Sequence, residues 1–230
     1  MCYGQKARDT ARNDVRGLIP PCALLKILDA ILSSLLSDRH SSLPPRHPDI
    51  FVGARKFTQT KDVSQGLQLV LEKGMDLKSK ASIAQADIRS YYDHLPVLRI
   101  VMWLLERGVE RPLLASIFRH QLCSSIGITR CVVSFVISSK SCGGLTGSTV
   151  ALTLARIPVE SAFLELAPVN RLKGFEVGGT RLVYASWVDN LYAAAHSPED
   201  ACDLVHSVFK HLSVAWNLEV KEQICCRVGV

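Results

Sequence analysis

No run of about 20 uninterrupted apolar residues, the length a bilayer-crossing helix requires, occurs in this sequence. The longest apolar stretch, Leu18 to Leu36, is broken by Pro20, Pro21, Lys26 and Asp29, so a membrane protein is not expected. Met1 to Arg16 is polar and basic and lacks the apolar core of a secretory signal. The eight cysteines form no CxxC pair and have no histidine at zinc-ligand spacing, which argues against a zinc module and for reduced, partly buried thiols of an intracellular protein. No basic cluster assigns a nuclear or a cytoplasmic address. Internal repeats and low-complexity tracts are missing too, which excludes solenoids and arrays.

What is present is a globular composition. Hydrophobic residues make up 48% and charged residues 21% of 230, enough for a buried core in one domain or in two that share one. Lys plus Arg is 27 against 21 for Asp plus Glu, and the resulting +6 suits a polyanionic partner without identifying one.

Apolar residues recur at three and four from Leu24 to Leu36, which predicts a helix entered through Pro20-Pro21 and ended by the proline-rich Ser41 to Pro48. A basic loop, Phe51 to Thr60, precedes a second periodic segment, Val63 to Lys73. Ile83 to Ile88 predicts a buried strand with Asp87 at its end. Leu95 to Leu105 and Pro112 to Leu122 read as helices, and the β-branched stretch Ile126 to Ile137 as strand. A small-residue loop, Ser138 to Gly147, leads into a long apolar helix from Ser148 to Leu166. Two apolar runs, 182–185 and 191–195, flank Trp187-Val188-Asp189-Asn190, where an Asp-Asn pair signals a hairpin. Pro198 to Trp216 predicts a helix with acids in its first turn, and Leu218 to Val230 a final strand. The pattern is α+β, with carboxylates at strand ends.

Two of those carboxylates carry the chemistry. Asp87 and Asp189, set side by side in one sheet, would offer oxygen ligands to Mg²⁺, a hard cation, as in-line phosphoryl transfer requires. On spacing alone, solvated turn acids explain them equally well. His94 and His120 are expected to cap or line the surface, and Met75, Met102, Trp103 and Trp216 to serve packing. Gly143 to Thr149 also lies between a strand and a helix, the setting of a phosphate-binding P-loop, but no Lys precedes Ser148.

The words around the acids are more specific. Ala86-Asp87-Ile88-Arg89-Ser90-Tyr91-Tyr92-Asp93 resembles motif A of reverse transcriptases, Gly143-Gly144-Leu145-Thr146-Gly147-Ser148 resembles motif B, and Trp187-Val188-Asp189-Asn190 resembles motif C, in the family's order. Arg16 to Pro20 and Gly53-Ala54-Arg55-Lys56 are similar to fingers elements, and Leu218-Glu219-Val220-Lys221 to motif D. The likeness is to the non-LTR retrotransposon and group II intron type and covers nearly the whole chain.

The resemblance implies a fingers-and-palm fold: residues 1–80 as a fingers-like region and 81–230 as a palm with motifs A to D, an antiparallel sheet packed by helices. It implies an RNA-directed DNA polymerase that joins deoxynucleoside triphosphates to a DNA primer on an RNA template. Asp87 and Asp189 would hold Mg²⁺, with Mn²⁺ able to replace it, and Asn190 stands where most relatives have a second Asp. Arg55 and Lys56 would lie over the triphosphate, Tyr92 against the sugar 2′ position, and Gly144, Gly147 and Ser148 along template base and nucleotide. Lys221 would be the general acid for pyrophosphate. Trp187 and Thr146 depart from the family's usual Tyr and Gln. The sequence ends soon after motif D, so the expectation includes no thumb, or a thumb supplied by a partner chain. The alternative reading is a truncated or decayed retroelement remnant without activity that at most binds RNA or an RNA:DNA duplex.

Overall fold

The computed structural model describes residues 23–41, 47–55, 57–77, 80–123, 126–130, 133–137, 142–145, 147–221 and 225–229. Their elements run α1 (Ala23–Ser41), β1 (Ile50–Val52), α2 (Thr60–Asp76), β2 (Ala81–Asp87), α3 (Tyr91–His94), α4 (Val97–Glu106), α5 (Arg111–Leu122), β3 (Ile126–Arg130), β4 (Val133–Ile137), α6 (Thr149–Asn170), β5 (Phe175–Val177), β6 (Thr180–Leu182), β7 (Tyr184–Trp187), β8 (Asn190–Ala195), α7 (Pro198–Trp216) and β9 (Cys225–Gly229). The class is α+β, as the pattern predicts. The chain divides into two units, one drawn from Met1–Ser42 and Tyr92–Leu152, the other from Leu43–Tyr91 and Thr153–Val230.

In the first unit α5 packs against both α1 and α4. Ile100, Leu104, Leu114 and Ile117 fill the contact and are almost completely buried. Each such side chain contributes roughly 1.5–3 kcal/mol by leaving water. Helix α1 buries Leu32 and Leu36 but leaves Leu24, Ile27 and Ile31 largely exposed, so only part of its apolar periodicity serves this core. His120, expected at the surface, is buried on the inner face of α5, because its ring meets the buried carboxylate of Asp29 on α1. Strands β3 and β4 form an antiparallel hairpin in what reads from sequence as one β-branched stretch.

The second unit is built on a five-stranded sheet in the order β1-β7-β8-β2-β9. Every pair is antiparallel except β1 with β7. Helices α2 and α7 pack on it. Strand β2 lies inside the sheet, between β8 and β9, and is buried at Ala81, Ile83, Ala84 and Ala86, which is why it reads as an apolar run rather than a clean alternation. The limits of α7 match the sequence reading because its signals are local. Ser197 Oγ accepts from the Asp200 amide at 3.0 Å, Pro198 opens the helix, and Asn217 ends it in a left-handed conformation with φ of 54°. The inward face of α7, including Val208, Leu212 and Trp216, is buried. In α6, Pro158 and Pro168 lie inside the helix without ending it, although each removes a backbone donor.

The short β1 has no strong local signal, whereas the β5–β6 hairpin has one that the sequence reading passes over: Gly178-Gly179, both at positive φ, form its two-residue turn. Met75 and Met102, expected as packing residues, are about half exposed at 57% and 48%, and Trp103 lies under the Arg107 guanidinium. Cys123 and Cys142 are free and exposed and Cys202 is free and half-buried. Among the described residues no helix is long and apolar enough to cross a membrane.

Candidate active site

One end of the five-stranded sheet gathers three separate chain segments. Asp87 closes β2 directly opposite Asn190, the first residue of β8. Trp187 and Asn190 face each other as the last pair of the β7–β8 hairpin, so the connecting turn is Val188-Asp189 and not Asp189-Asn190. That register puts Asn190 into the strand and Asp189 at the tip. Val188 takes a φ of 57°, a left-handed conformation that costs a β-branched residue roughly 1–3 kcal/mol. The Ile88 amide donates to the Asp189 carbonyl at 3.0 Å, which ties the two acid-bearing segments at the backbone.

The third segment is 219–221. Arg89 donates to the Glu219 carbonyl at 3.0 Å, Ile88 bridges to Val220, and the Lys221 amide donates to the Asp87 carbonyl at 3.0 Å. This backbone register brings the Lys221 ammonium onto Asp87 Oδ2. Asn190 Nδ2 donates to Asp189 Oδ1 at 3.3 Å, and Gln85 Nε2 to Asn190 Oδ1 at 3.4 Å. Burial pushes the Tyr192 phenol above its ordinary pKa, and the Asp189 charge raises it further. Two carboxylates, an amide oxygen and an ammonium thus share one partly exposed sheet end.

Arg55 arrives in the same unit from the loop after β1. Gly53 anchors that loop on β7: its amide donates to the Ser186 carbonyl at 2.8 Å, and a Cβ there would sit 2.4 Å from the Trp187 ring. Only glycine permits that approach. The loop then turns, with the Arg55 amide donating to Thr58 Oγ1 at 2.8 Å. The Arg55 guanidinium pairs with Glu160 on α6. One turn earlier on α6, buried Arg156 donates to the Ala54 carbonyl at 3.0 Å. Burial lowers the Arg156 guanidinium to about 10, with Glu160 opposing the shift and Arg55 adding to it. A cavity of about 160 Å³ opens beside Arg55, Thr58, Glu160 and Leu164. Lys56 lies outside the described residues.

The remaining predicted residues belong to the other unit. The Gly144 amide donates to the Tyr92 carbonyl at 2.7 Å and the Gly143 amide to the Leu95 carbonyl at 3.1 Å, so the glycine loop is seated on the turn that carries Tyr92. Gly143 has φ of 83°, and a Cβ there would lie 2.5 Å from the Asp93 carbonyl oxygen. Gly144 is buried against Leu95 and Ala151, Gly147 is exposed with φ of 95°, and the Tyr92 side chain is half-buried. Tyr91, which belongs to the second unit, is buried there, its hydroxyl donating to the Ala155 carbonyl of the same unit. Ser148 is buried as well. Its Oγ accepts from Gln121 Nε2 at 3.0 Å and donates to Asp29. Thr146 lies outside the described residues.

The structure therefore unites Asp87, Asp189, Asn190 and Lys221 at one sheet end, and Tyr92, Gly144 and Ser148 in the other unit. Sequence reasoning missed Glu160 and Arg156, which read as ordinary members of an apolar helix, and Asp29 with Gln121. The one available signal was Asp29 itself, a lone acid among the leucines and isoleucines of α1. Among the described residues no group of three or more His, Cys, Asp or Glu side chains is arranged to hold a metal ion. Two carboxylates and an amide oxygen are nonetheless hard donors of the kind Mg²⁺ prefers.

Neither a family model nor a curated protein matches this sequence. Solved structures do match in fold. Telomerase from Candida albicans in complex with a TWJ fragment of telomeric RNA aligns over 89% of this chain at 10% identity with a TM-score of 0.61, covering 35% of that chain. Apo telomerase from Candida tropicalis aligns over 89% at 10% identity with a TM-score of 0.59, covering 37% of its own length. The C. tropicalis enzyme with the same RNA fragment gives 90%, 10% and 0.58, covering 34%. This chain spans about a third of the length of the telomerase chains it matches, and its α+β fold is similar to that of the matched part of those chains.

Proposed function

We propose that this chain is a reverse-transcriptase domain, an RNA-directed DNA polymerase of the non-LTR retrotransposon or group II intron type that extends a DNA primer on an RNA template. One observation carries the reading: Asp87 and Asp189 occupy adjoining positions at one sheet end, on a fold shared with telomerase. Asp87, Asp189 and the Asn190 amide would hold Mg²⁺, or Mn²⁺ in its place. The bound ion would supply charge neutralisation at the phosphates and acidify the primer hydroxyl.

The chain's own groups do the rest. Lys221, already against Asp87, would give a proton to the departing pyrophosphate. Arg55 would leave Glu160 to meet triphosphate oxygens, which suit its planar fork. Tyr92 would lie against the sugar, where a ring excludes a 2′-hydroxyl, while Gly144 and Gly147 would admit the template base and nucleotide. A second reading, an inactive remnant that at most binds RNA or an RNA:DNA duplex, is favoured by the neutral Asn190 and by the cation that Lys221 keeps on Asp87.

Primer extension on oligo(dT)-primed poly(rA), with Mg²⁺ and separately Mn²⁺, beside an Asp189→Ala control of unchanged melting temperature, tests the proposal. Incorporation by the wild type that the control lacks supports it. A folded wild type that is silent with both ions while retaining duplex in a filter-binding assay establishes the second reading instead.

A further inference from the structure

Beneath the loop that holds Gly144 and Gly147 lies a buried polar hub that no part of the proposed chemistry uses. Asp29, in the middle of α1, is 4% exposed, and its carboxylate takes four hydrogen bonds. The Thr149 amide donates at 2.6 Å and the Thr149 hydroxyl at 2.7 Å, His120 Nε2 lies 2.8 Å away, and Ser148 Oγ donates as well. Gln121 completes the hub from α5. Its Nε2 donates to Ser148 Oγ at 3.0 Å, and its Oε1 accepts from the Leu145 amide at 2.9 Å. The Ser148 oxygen also accepts from the Ala151 amide at 3.1 Å.

Ser148 cannot act as a nucleophile in this arrangement, because its proton is committed to a carboxylate and its lone pairs to two N–H donors. The hub instead grips both sides of Gly147: Leu145 through Gln121, Ser148 and Thr149 through Asp29. A buried carboxylate is costly to place in an apolar helix; here it meets His120 within the packing of α1 on α5 and reaches beyond that contact to Ser148 and Thr149. Its four donors all come from α5 and from the loop entering α6.

We propose that Asp29 is a positioning residue, fixing the segment from Leu145 to Thr149 so that Gly147 and the start of α6 hold one geometry toward the incoming deoxynucleotide. This rests on the polymerase reading given above. Asp29 touches no reacting group; it acts through Ser148 and Thr149. Replacing Asp29 by Asn keeps its shape but removes the charge and turns one acceptor into a donor, so the grip on Ser148 and Thr149 weakens while α1 and α5 keep their apolar contact.

The test pairs two readouts on wild type, Asp29→Asn, the milder Thr149→Val and an exposed α1 control, Asp38→Asn. Amide hydrogen exchange reports the loop directly. Primer extension separates KM for the deoxynucleotide from kcat. For Asp29→Asn, exchange should accelerate at residues 144–150 alone and KM should rise about tenfold with kcat within about twofold; Thr149→Val should shift both in the same direction by less, and Asp38→Asn should shift neither. Unchanged exchange and KM in a folded Asp29→Asn overturn the proposal, as does a loss of protection across the whole first unit, which would make Asp29 a stability residue only. If Asp29→Asn does not fold, Thr149→Val decides by the same criteria. If the wild type extends no primer, the polymerase reading falls on that result, and the claim that Asp29 fixes the loop stands or falls on the exchange data.

Discussion

Asp87 and Asn190 are direct partners across the β2–β8 register, so the residue at 190 faces one candidate ligand and follows the other in sequence. An Asp there would complete a set of three carboxylates. We expect Asn190→Asp to lower the Mg²⁺ concentration giving half-maximal primer extension by about tenfold, since a carboxylate is a stronger ligand for a hard cation than an amide. A Mg²⁺ titration of both proteins checks this, and an unshifted midpoint would remove Asn190 from the ligand set.

Lys221 makes an ion pair with Asp87 in which both side chains are a third to a half exposed. Such a pair contributes no more than about 1 kcal/mol to stability. Lys221→Gln should therefore leave the urea midpoint almost unmoved while lowering kcat by tenfold or more, in the range of about 10²–10⁴ that a lost general acid can reach. Equal activity in the variant would make Lys221 an ordinary surface cation.

The Arg55–Glu160 pair is far less exposed, and Glu160 also neutralises buried Arg156. Glu160→Gln leaves two guanidinium groups facing one another with their carboxylate gone. A cost of about 3 kcal/mol in urea unfolding is expected, because breaking one side of a largely buried pair strands the other charge. A cost below about 1 kcal/mol would mean that both arginines find water or other partners.

Two glycines with positive φ separate conformational cost from collision. Gly178 has φ of 55° and open space around it, whereas a Cβ on Gly143 would also strike the Asp93 carbonyl. Gly178→Ala should cost about 1 kcal/mol and Gly143→Ala about 3 kcal/mol or more by equilibrium unfolding. Similar costs at the two sites would contradict the seating of the glycine loop on the Tyr92 turn.

Burial alone would raise the pKa of Asp29, but the hydrogen bonds from Ser148, Thr149 and His120 outweigh it and hold the carboxyl below its ordinary 3.8. A depressed folded-state pKa means that the stabilisation is complete above the unfolded value and is lost as pH falls through the folded one. The part of the stability gap between wild type and Asp29→Asn that comes from the Asp29 charge should thus be lost in acid, the gap narrowing below about pH 4. Urea melts on both sides of that pH measure it, and a gap that widens in acid would contradict the sign.

Much of the fold follows from local signals. Ser197, Pro198 and the acids after it start α7, and the apolar run before Asp87 makes an inner strand, because capping and periodicity act over a few residues. The candidate acids were legible for the same reason: each stands at the end of such an element. The turn between β7 and β8 was legible only in part. An Asp-Asn pair suggested the tip, while cross-strand pairing shifted it to Val188-Asp189, a choice set by the register of β7 on β8.

Sequence by itself determined most of the helices, the apolar strand that ends at Asp87, and the placing of Asp189 and the glycine loop between elements. Tertiary structure alone decided who meets whom. Lys221 reaches Asp87 across 134 positions, Glu160 takes Arg55 across 105, and Asp29 receives Thr149 across 120. These pairings carry no local periodicity. Arg55–Glu160 and Asp29–Thr149 arise where packed elements force charged groups out of water and each must find a partner, and the half-exposed Lys221–Asp87 pair follows from the backbone register of 219–221 on β2; both conditions exist only after the chain has folded.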